Sequence, residues 1–361
     1  MQPAALFVSA PCPPGHRRSH APHALIGRLR ALIATAAMLL IAAPAAFAGS
    51  VAVQAAPVRF GILPFGGAAE SRGDWEPLLF ELSQAIGRPV TVLSVTSYEA
   101  LEQAIRRDQV DMAFLSGKMA LDAVSQRRMK VVAQVTRHDG LPGYRSLLLA
   151  RRDGPVTELE AVLSNPEKWR IARSETRSVS GFIVPQLQLF LPRHIAMETR
   201  FAGEVVGNHQ ATALAVANGE VDIATNNSAD LERFKTQFPA EFARLKVIWS
   251  SDLIPHAQIV VRRDYPSALQ EKVRAFLVGY GRGKGAKADA QRVVLKSLHD
   301  FAGFLPAGND SLVPAARLAY QLARQSALGG QWVDEASRQA RLKRLDNQFA
   351  DQMAALRDQE D

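Results

Sequence analysis

Residues 174 to 185, SETRSVSGFIVP, are of types that could bind an anion. The run Ser-Val-Ser-Gly at 178–181 directly precedes an apolar helical pattern, and Pro185 falls near its expected first turn. The first N–H groups of a helix have no partner inside it, and the helix dipole adds positive charge there. Hydroxyls beside such N–H groups are typical of an oxyanion site. Ordinary serine capping would give the same pattern, so this stretch alone leaves both interpretations open.

Two stretches of the chain align without a gap. Residues 97–116 read SYEALEQAIRRDQVDMAFLS, and residues 208–227 read NHQATALAVANGEVDIATNN. Each has a polar start, a helical apolar pattern, a polar turn and Val-Asp-x-Ala leading into a strand. Tyr98 and His209 begin the two helices, which lie after strands, at the edge where α/β sheets bind ligands. Two such edges could face each other across a cleft, although general α/β patterning would also produce an echo.

The remaining elements predict the fold class. Strand patterns alternate with helix patterns, as in VRFGILPF, a helix from Trp75 to Ile86 stopped by Gly87, and PVTVLSV. This order predicts mostly parallel sheets with helices on both faces. The apolar strands at 146–152 and 257–263 close the two halves and would cross between them. We therefore predict an α/β protein with two lobes joined by two hinge strands.

The predicted division of the chain is a signal segment, two lobes and a helical extension. Its boundaries are 1–48 for the signal, 57–150 with 255–325 for lobe 1, 151–254 for lobe 2, and 326–361 for a C-terminal amphipathic helix. The apolar positions of that last helix recur at spacings of three and four: Leu342, Leu345, Phe349, Met353 and Leu356. Such a stripe would pack either on its own lobe or on a second copy in a homodimer.

Residues 1–48 have the features of a secretory signal peptide. A basic flank ends at Arg30, an apolar run follows, and Ala46-Phe47-Ala48 is a small-x-small cleavage site. An uncleaved anchor is the alternative, but Pro44 shortens the apolar run. The single cysteine, Cys12, lies inside this segment, so the mature chain would have neither disulfide nor lipid-anchoring thiol. We therefore expect an exported protein that is not a lipoprotein.

Composition and motifs argue against several classes of function. The chain has 361 residues, of which 47% are hydrophobic, and a formal charge of +8, half of it from four arginines in the signal segment. Its basic residues form no stripe with interleaved aromatics, so nucleic-acid binding is not expected. GxSxG, HExxH, CxxC and Walker A patterns do not occur. We expect no catalytic residues, metal or cofactor, and a phosphoesterase remains a remote alternative.

From about Val58 to Leu322 the chain resembles the periplasmic substrate-binding proteins of phosphonate-type ABC importers. The stretches that carry the resemblance are GYRSLLLA, RSVSGFIVPQ, NHQATALAVANGEVDIATNNS and LKVIWSSDLIP. The resemblance implies a two-lobed, type II-like binding-protein fold in the periplasm. It also implies that the lobes close on a phosphonate, phosphite or phosphate and deliver it to an ABC permease in the inner membrane.

The resemblance also implies which residues would hold the phosphorus oxyanion. They are Tyr98, Tyr144, Ser178, Val179, Ser180, Gly181 and His209. Val179 stands where the family has threonine, so one hydroxyl donor is lost while the backbone N–H remains. An uncompensated loss of a hydrogen bond to a charged group costs about 1.5–3 kcal/mol.

A second departure from the family concerns the rest of the ligand. Members that bind aminoalkylphosphonates place carboxylates at the positions of Ala229 and Ala257, where they pair with the ammonium group. A desolvated ammonium without a partner is costly, so the sequence predicts a ligand without an amine. His256 could add a donor for a second anionic or neutral polar group. A ligand sensor for a membrane kinase or receptor, or a binder of an unrelated organic anion, remains an alternative.

Overall fold

The computed structural model describes residues 56–64 and 66–357. The predicted signal segment, residues 1–48, lies outside these described residues. Among the described helices, none combines the length and the hydropathy that crossing a membrane requires.

The first lobe is built on a six-stranded sheet. Its strands are β1 (Val58–Ile62), β2 (Val90–Ser94), β3 (Met112–Leu115), β4 (Met129–Arg137), β10 (Gln258–Arg262) and β11 (Phe301–Pro306). They lie side by side in the order β11-β4-β10-β3-β1-β2.

The second lobe is built on a five-stranded sheet. Its strands are β5 (Gly143–Arg151), β6 (Arg170–Arg173), β7 (Gly203–Val206), β8 (Ile223–Asn227) and β9 (Leu245–Pro255). They lie in the order β7-β6-β8-β5-β9.

Helices follow most of the strands. They are α1 (Ala68–Ile86), α2 (Tyr98–Arg106), α3 (Gly117–Ser125), α4 (Leu159–Ser164), α5 (Met197–Arg200), α6 (His209–Ala217), α7 (Ser228–Gln237), α8 (Pro239–Ala243), α9 (Ser267–Gly279), α10 (Ala286–Ser297), α11 (Val313–Gly329) and α12 (Glu335–Arg357). Gly87 ends α1 in the left-handed conformation, as the sequence predicts, because glycine adopts a positive φ (69°) without a Cβ clash.

Both sheets are mixed, so the prediction of mostly parallel sheets was wrong. β1 pairs in parallel with β2 and β3, and β6 with β7 and β8. Every pairing of β4, β5, β9, β10 or β11 is antiparallel. Parallel neighbours need a long crossover, which is usually a helix. The connections at 138–142 and 256–257 are too short to contain such a crossover helix. At each of them the chain passes from one sheet to the other.

These two connections also locate the crossings between the sheets. The predicted boundary at residues 150 and 151 would assign nearly all of β5 to the first lobe. In the structure the whole strand pairs with β8 and β9, and Leu147–Ala150 is buried in the second lobe. The apolar run is therefore a central strand rather than a hinge strand. The other predicted boundaries stay a prediction.

Each sheet has its own hydrophobic core. In the first lobe the fully buried Trp75 contacts the rings of Phe60 and Phe114, with ring centroids 5.1 Å apart in both pairs. In the second lobe Phe190 and Ile223 lie in a separate buried cluster. Because apolar packing holds each lobe together internally, polar side chains are left to fill the space between the two sheets.

The C-terminal helix packs on its own chain. Leu342 and Leu345 lie against Ala327 of α11, and the Phe349 ring stacks on Tyr320 at 4.4 Å. Leu356 is fully buried in the core of the first lobe. Of the two arrangements that the sequence leaves open for this stripe, the structure shows packing on its own lobe.

Candidate functional site

The two aligned sequence stretches fold alike. α2 and α6 begin at Tyr98 and His209, each capped by the preceding side chain. Ser97 Oγ accepts a hydrogen bond from the Ala100 N–H (3.1 Å), and Asn208 Oδ1 accepts one from Ala211 (2.9 Å). Both Tyr98 and His209 are buried, and both line one cavity between the lobes. The two aligned stretches therefore place one side chain from each lobe in the wall of the same cavity.

This cavity has a volume of about 50 Å³. One water needs about 10–15 Å³ by the same measure, so the cavity suits a small ligand. Nine of the ten residues singled out in the sequence line it: Tyr98, Tyr144, Ser178, Val179, Ser180, His209, Ala229, His256 and Ala257.

Hydroxyl groups and the His209 imidazole form one polar part of the cavity lining. Ser180 Oγ lies 3.2 Å from His209 Nε2 and accepts a hydrogen bond from Asn227 Nδ2 (3.3 Å). Burial raises the pKa of Tyr144 to about 12 and that of Tyr98 still further, so both phenols remain protonated. The Tyr98 hydroxyl lies beside Ser178 and the Tyr144 hydroxyl beside Ser180. Both phenols can therefore donate hydrogen bonds to an oxyanion.

Gly181, the tenth residue, supports the site from behind the cavity wall. Its N–H donates to Ser178 Oγ (3.0 Å), which caps the helical segment that starts at Val179. This segment consists of two π-helical turns, Val179–Ile183 and Gln186–Phe190, joined through Pro185.

Pro185 lies inside this helical segment rather than near its first turn, which corrects the sequence expectation. A proline has no N–H, so the carbonyl one turn earlier loses its helical donor. That carbonyl belongs to Gly181, and it accepts instead from Thr225 Oγ1 (2.7 Å) and from the backbone N–H of Ser174 (3.3 Å). The neighbouring Ser180 carbonyl accepts from Ser146 Oγ (2.6 Å). Side chains of β8 and β5 thus fix the start of the segment, and the π-helical turns accommodate the proline.

Neighbouring groups set the position and charge of His209. Asn226 Nδ2 donates to its carbonyl oxygen (2.7 Å), tying the start of α6 to β8. Burial lowers the pKa of His209, and the nearby Asp230 opposes that shift. The imidazole is therefore neutral near pH 7 before an anion binds, and an anion near Nε2 would favour protonation.

Asp230 is a functional candidate that sequence reasoning missed. It lines the cavity beside Ala229, accepts from Asn227 Nδ2 (2.7 Å), and lies 3.4 Å from His299 Nδ1. Burial alone would raise the pKa of Asp230. The hydrogen bond from His299, the two neighbouring imidazoles and the Asn227 amide outweigh burial and lower that pKa to about 2. In the sequence it is an ordinary acidic residue in the first turn of α7, so no local signal singles it out.

Polar contacts join the two lobes around the cavity. Arg233 of α7 binds Glu70 (2.7 Å) and Asp74 (2.5 Å) of α1. Glu175, in the loop before Ser178, accepts from the backbone N–H of Tyr98 (2.8 Å) and of Glu99 (3.1 Å) at the start of α2. Two lobes closed over a small polar cavity are the arrangement of a solute-binding protein.

Comparison with known families defines the class more closely. Residues 60–312 match the family model described as "ABC transporter, phosphonate, periplasmic substrate-binding protein". The chain belongs to this family of phosphonate-type periplasmic substrate-binding proteins. Members of the family bind a substrate for a transporter and are not enzymes.

Individual relatives agree with this assignment. The chain is 30% identical over 298 residues to the phosphonates-binding periplasmic protein of Escherichia coli, covering 82% of this chain and 86% of the relative. It is 25% identical over 212 residues to the phosphate-import protein of Mycolicibacterium smegmatis, covering 55% of this chain and 63% of the relative.

A solved structure also agrees. The binding-protein component of an ABC phosphonate transporter from Pseudomonas aeruginosa superposes with a TM-score of 0.77 at 30% identity, covering 84% of this chain and 99% of the other.

We expect Gly181→Ala to weaken ligand binding markedly. A Cβ at this position would collide with the Ser174 side chain and come within 2.9 Å of Ser178 Oγ, so the loop would have to move. Calorimetric titration with methylphosphonate measures the effect. Gly73→Ala is the matched control, because a Cβ there meets nothing within 4 Å. Its site lies inside a helix, where alanine is favoured over glycine by about 0.5–1 kcal/mol. Equal affinities of the two variants would contradict this role of Gly181.

Proposed function

We propose that the cavity binds the phosphorus oxyanion of a small phosphonate, phosphite or phosphate that lacks an amine, for delivery to an ABC permease. The observation that carries this proposal is the convergence of donors from both lobes on one small cavity. These donors are the side chains of Tyr98, Tyr144, Ser178, Ser180 and His209.

The chemistry of these donors suits a tetrahedral anion. Protonated phenols and serine hydroxyls donate hydrogen bonds, and donors aimed at a charged oxygen bind more strongly than neutral pairs do. The start of the Val179 segment adds backbone N–H groups. Val179 itself contributes only its backbone, so we expect weaker oxyanion binding than a threonine at this position would give.

The remainder of the cavity is largely apolar. Ala229 and Ala257 line it, together with Phe114, Val135 and Phe301. Asp230 is the exception by charge, but Asn227 and His299 already occupy its oxygens. An ammonium group would have to share this carboxylate with those two partners.

Closure of the lobes would couple binding to transport. The contacts of Arg233 with Glu70 and Asp74, and of Glu175 with the start of α2, form only when the lobes meet. A ligand that contacts both lobes stabilises the same closed state and shifts the population towards it. The permease would then recognise the closed form, because that form carries substrate.

We expect ligand-stripped protein to bind methylphosphonate, phosphite or phosphate more tightly than 2-aminoethylphosphonate. The reason is the unbalanced desolvation of the ammonium group next to Ala229 and Ala257. Parallel isothermal titrations with the four compounds measure the order. Selective binding of 2-aminoethylphosphonate would contradict the exclusion of amines, and binding of none of them would remove phosphorus oxyanions from the proposal.

We expect His209→Ala to weaken methylphosphonate binding by about 10–100-fold, since a hydrogen bond to a charged group contributes about 1.5–3 kcal/mol. His138→Ala is the control, because His138 is exposed and lies outside the cavity lining. Thermal unfolding of both variants establishes that they fold. An unchanged affinity in folded His209→Ala would take this residue out of the site.

Export by an N-terminal signal peptide, without a lipid anchor, belongs to the same proposal. We expect the protein recovered from the periplasm to start at Gly49, after cleavage behind Ala48. A homodimer through α12 is also proposed, and it would have to use the outer side of that helix, since Leu342, Leu345 and Leu356 pack on the chain itself. Native mass spectrometry tests both points at once. A chain still carrying residues 1–48 would contradict the first, and a strictly monomeric mass the second.

A further inference from the structure

Arg137 is a buried cation in the cavity wall. It ends β4, is 7% exposed, and lines the same cavity as the residues found from the sequence. One of its guanidinium nitrogens, NH1, donates to the carbonyl oxygen of His299. In the part of the chain that the structure describes, no carboxylate lies within 4.0 Å of Arg137.

A buried guanidinium without a carboxylate calls for a negative partner. Arginine stays charged at every accessible pH, so it cannot relieve its burial by losing a proton. Buried charges in proteins are normally paired, because an unpaired one loses its hydration without compensation. Asp230, the carboxylate of the same cavity, is held by Asn227 and His299 instead. The balancing charge for Arg137 is therefore left to the ligand.

Arg137 comes from the first lobe, whereas Tyr144, Ser178, Ser180 and His209 come from the second. Burial lowers the pKa of the His256 and His299 imidazoles, and the positive charge of the nearby Arg137 lowers it further. His256 directly precedes Ala257, and Phe301 pairs with Arg137 across β4 and β11. The Ser180 and His209 pair belongs instead to the second lobe. The first-lobe side of the cavity around Arg137 is thus positive and carries the apolar side chains Ala257 and Phe301.

We propose that Arg137 pairs with a second acidic group of the ligand, so that the substrate class is a phosphonate carrying a carboxylate on a short alkyl chain. This inference rests on the proposed function, since it assigns the substituent of the same ligand. The planar guanidinium of an arginine can bind both oxygens of a carboxylate at once. The ammonium group of a lysine lacks this geometry. The small cavity limits the linker between the two acidic groups to a short one.

The test compares ligands that differ only in charge. Phosphonoacetate carries the carboxylate, phosphonoacetamide replaces it with a neutral amide of the same shape, and methylphosphonate lacks it. We expect the wild-type protein to bind phosphonoacetate about tenfold or more tighter than phosphonoacetamide. Arg137→Gln should weaken phosphonoacetate binding about tenfold more than it weakens methylphosphonate binding, and Arg137→Lys should retain part of the preference.

Two controls separate this role from general effects of charge and folding. Arg151→Gln removes a partly exposed arginine that pairs with Asp153 and lies outside the cavity lining, so the ligand preference should not change. Thermal unfolding checks the Arg137 variants. If Arg137→Gln fails to fold, the comparison of phosphonoacetate with phosphonoacetamide on the wild-type protein decides alone.

Three results would overturn the inference, and they differ in what else they affect. Equal wild-type affinity for phosphonoacetate and phosphonoacetamide would show that the protein does not recognise the ligand's carboxylate. The proposed function would remain intact. An equal loss of phosphonoacetate and methylphosphonate binding in Arg137→Gln assigns Arg137 to the phosphorus oxyanion. Absence of binding to all three compounds overturns the proposed function and this inference together.

Discussion

The hydrogen bond from Thr225 Oγ1 to the Gly181 carbonyl is the contact on which the rest of the site depends. Pro185 leaves that carbonyl without a helical donor, and β8 supplies the shorter of its two replacements, the other being the Ser174 N–H. The next two residues of the same strand complete the arrangement, because Asn226 holds the start of α6 and Asn227 bonds Ser180. One short strand therefore sets the relative positions of the Val179 segment and His209.

This framework keeps hydrogen-bond donors buried before any ligand arrives. Buried polar groups normally need partners, and here the contacts of Ser180 with His209 (3.2 Å) and Asn227 (3.3 Å) are long. Such an arrangement costs stability in the empty protein and lowers the cost of ordering the site around an anion.

Local signals in the sequence were sufficient for one part of the site. The starts of α2 and α6 follow from capping residues and helical spacing, so Tyr98 and His209 could be placed from the sequence alone. Arg137, Asp230 and His299 could not be placed, since they lie at a strand end, in a first helical turn and in a loop. Only the pairing of distant strands brings them to the cavity. The mixed sheets escaped prediction for the same reason: local patterns do not show strand direction.

The two helix starts predicted to face the ligand are not equivalent. At α2 the first N–H groups are already occupied, those of Tyr98 and Glu99 by Glu175 and that of Ala100 by Ser97. A ligand anion therefore gains the Tyr98 hydroxyl there but not the positive end of that helix. Glu175 stands three residues before Ser178, on the loop that leads into the Val179 segment and is proposed to bind the anion. The loop that would hold the ligand in one lobe thus also carries the carboxylate that joins the opposite lobe. Because both interactions form on the same short loop, ordering it around an anion and closing the cleft favour each other, and the coupling needs no long-range change in either core.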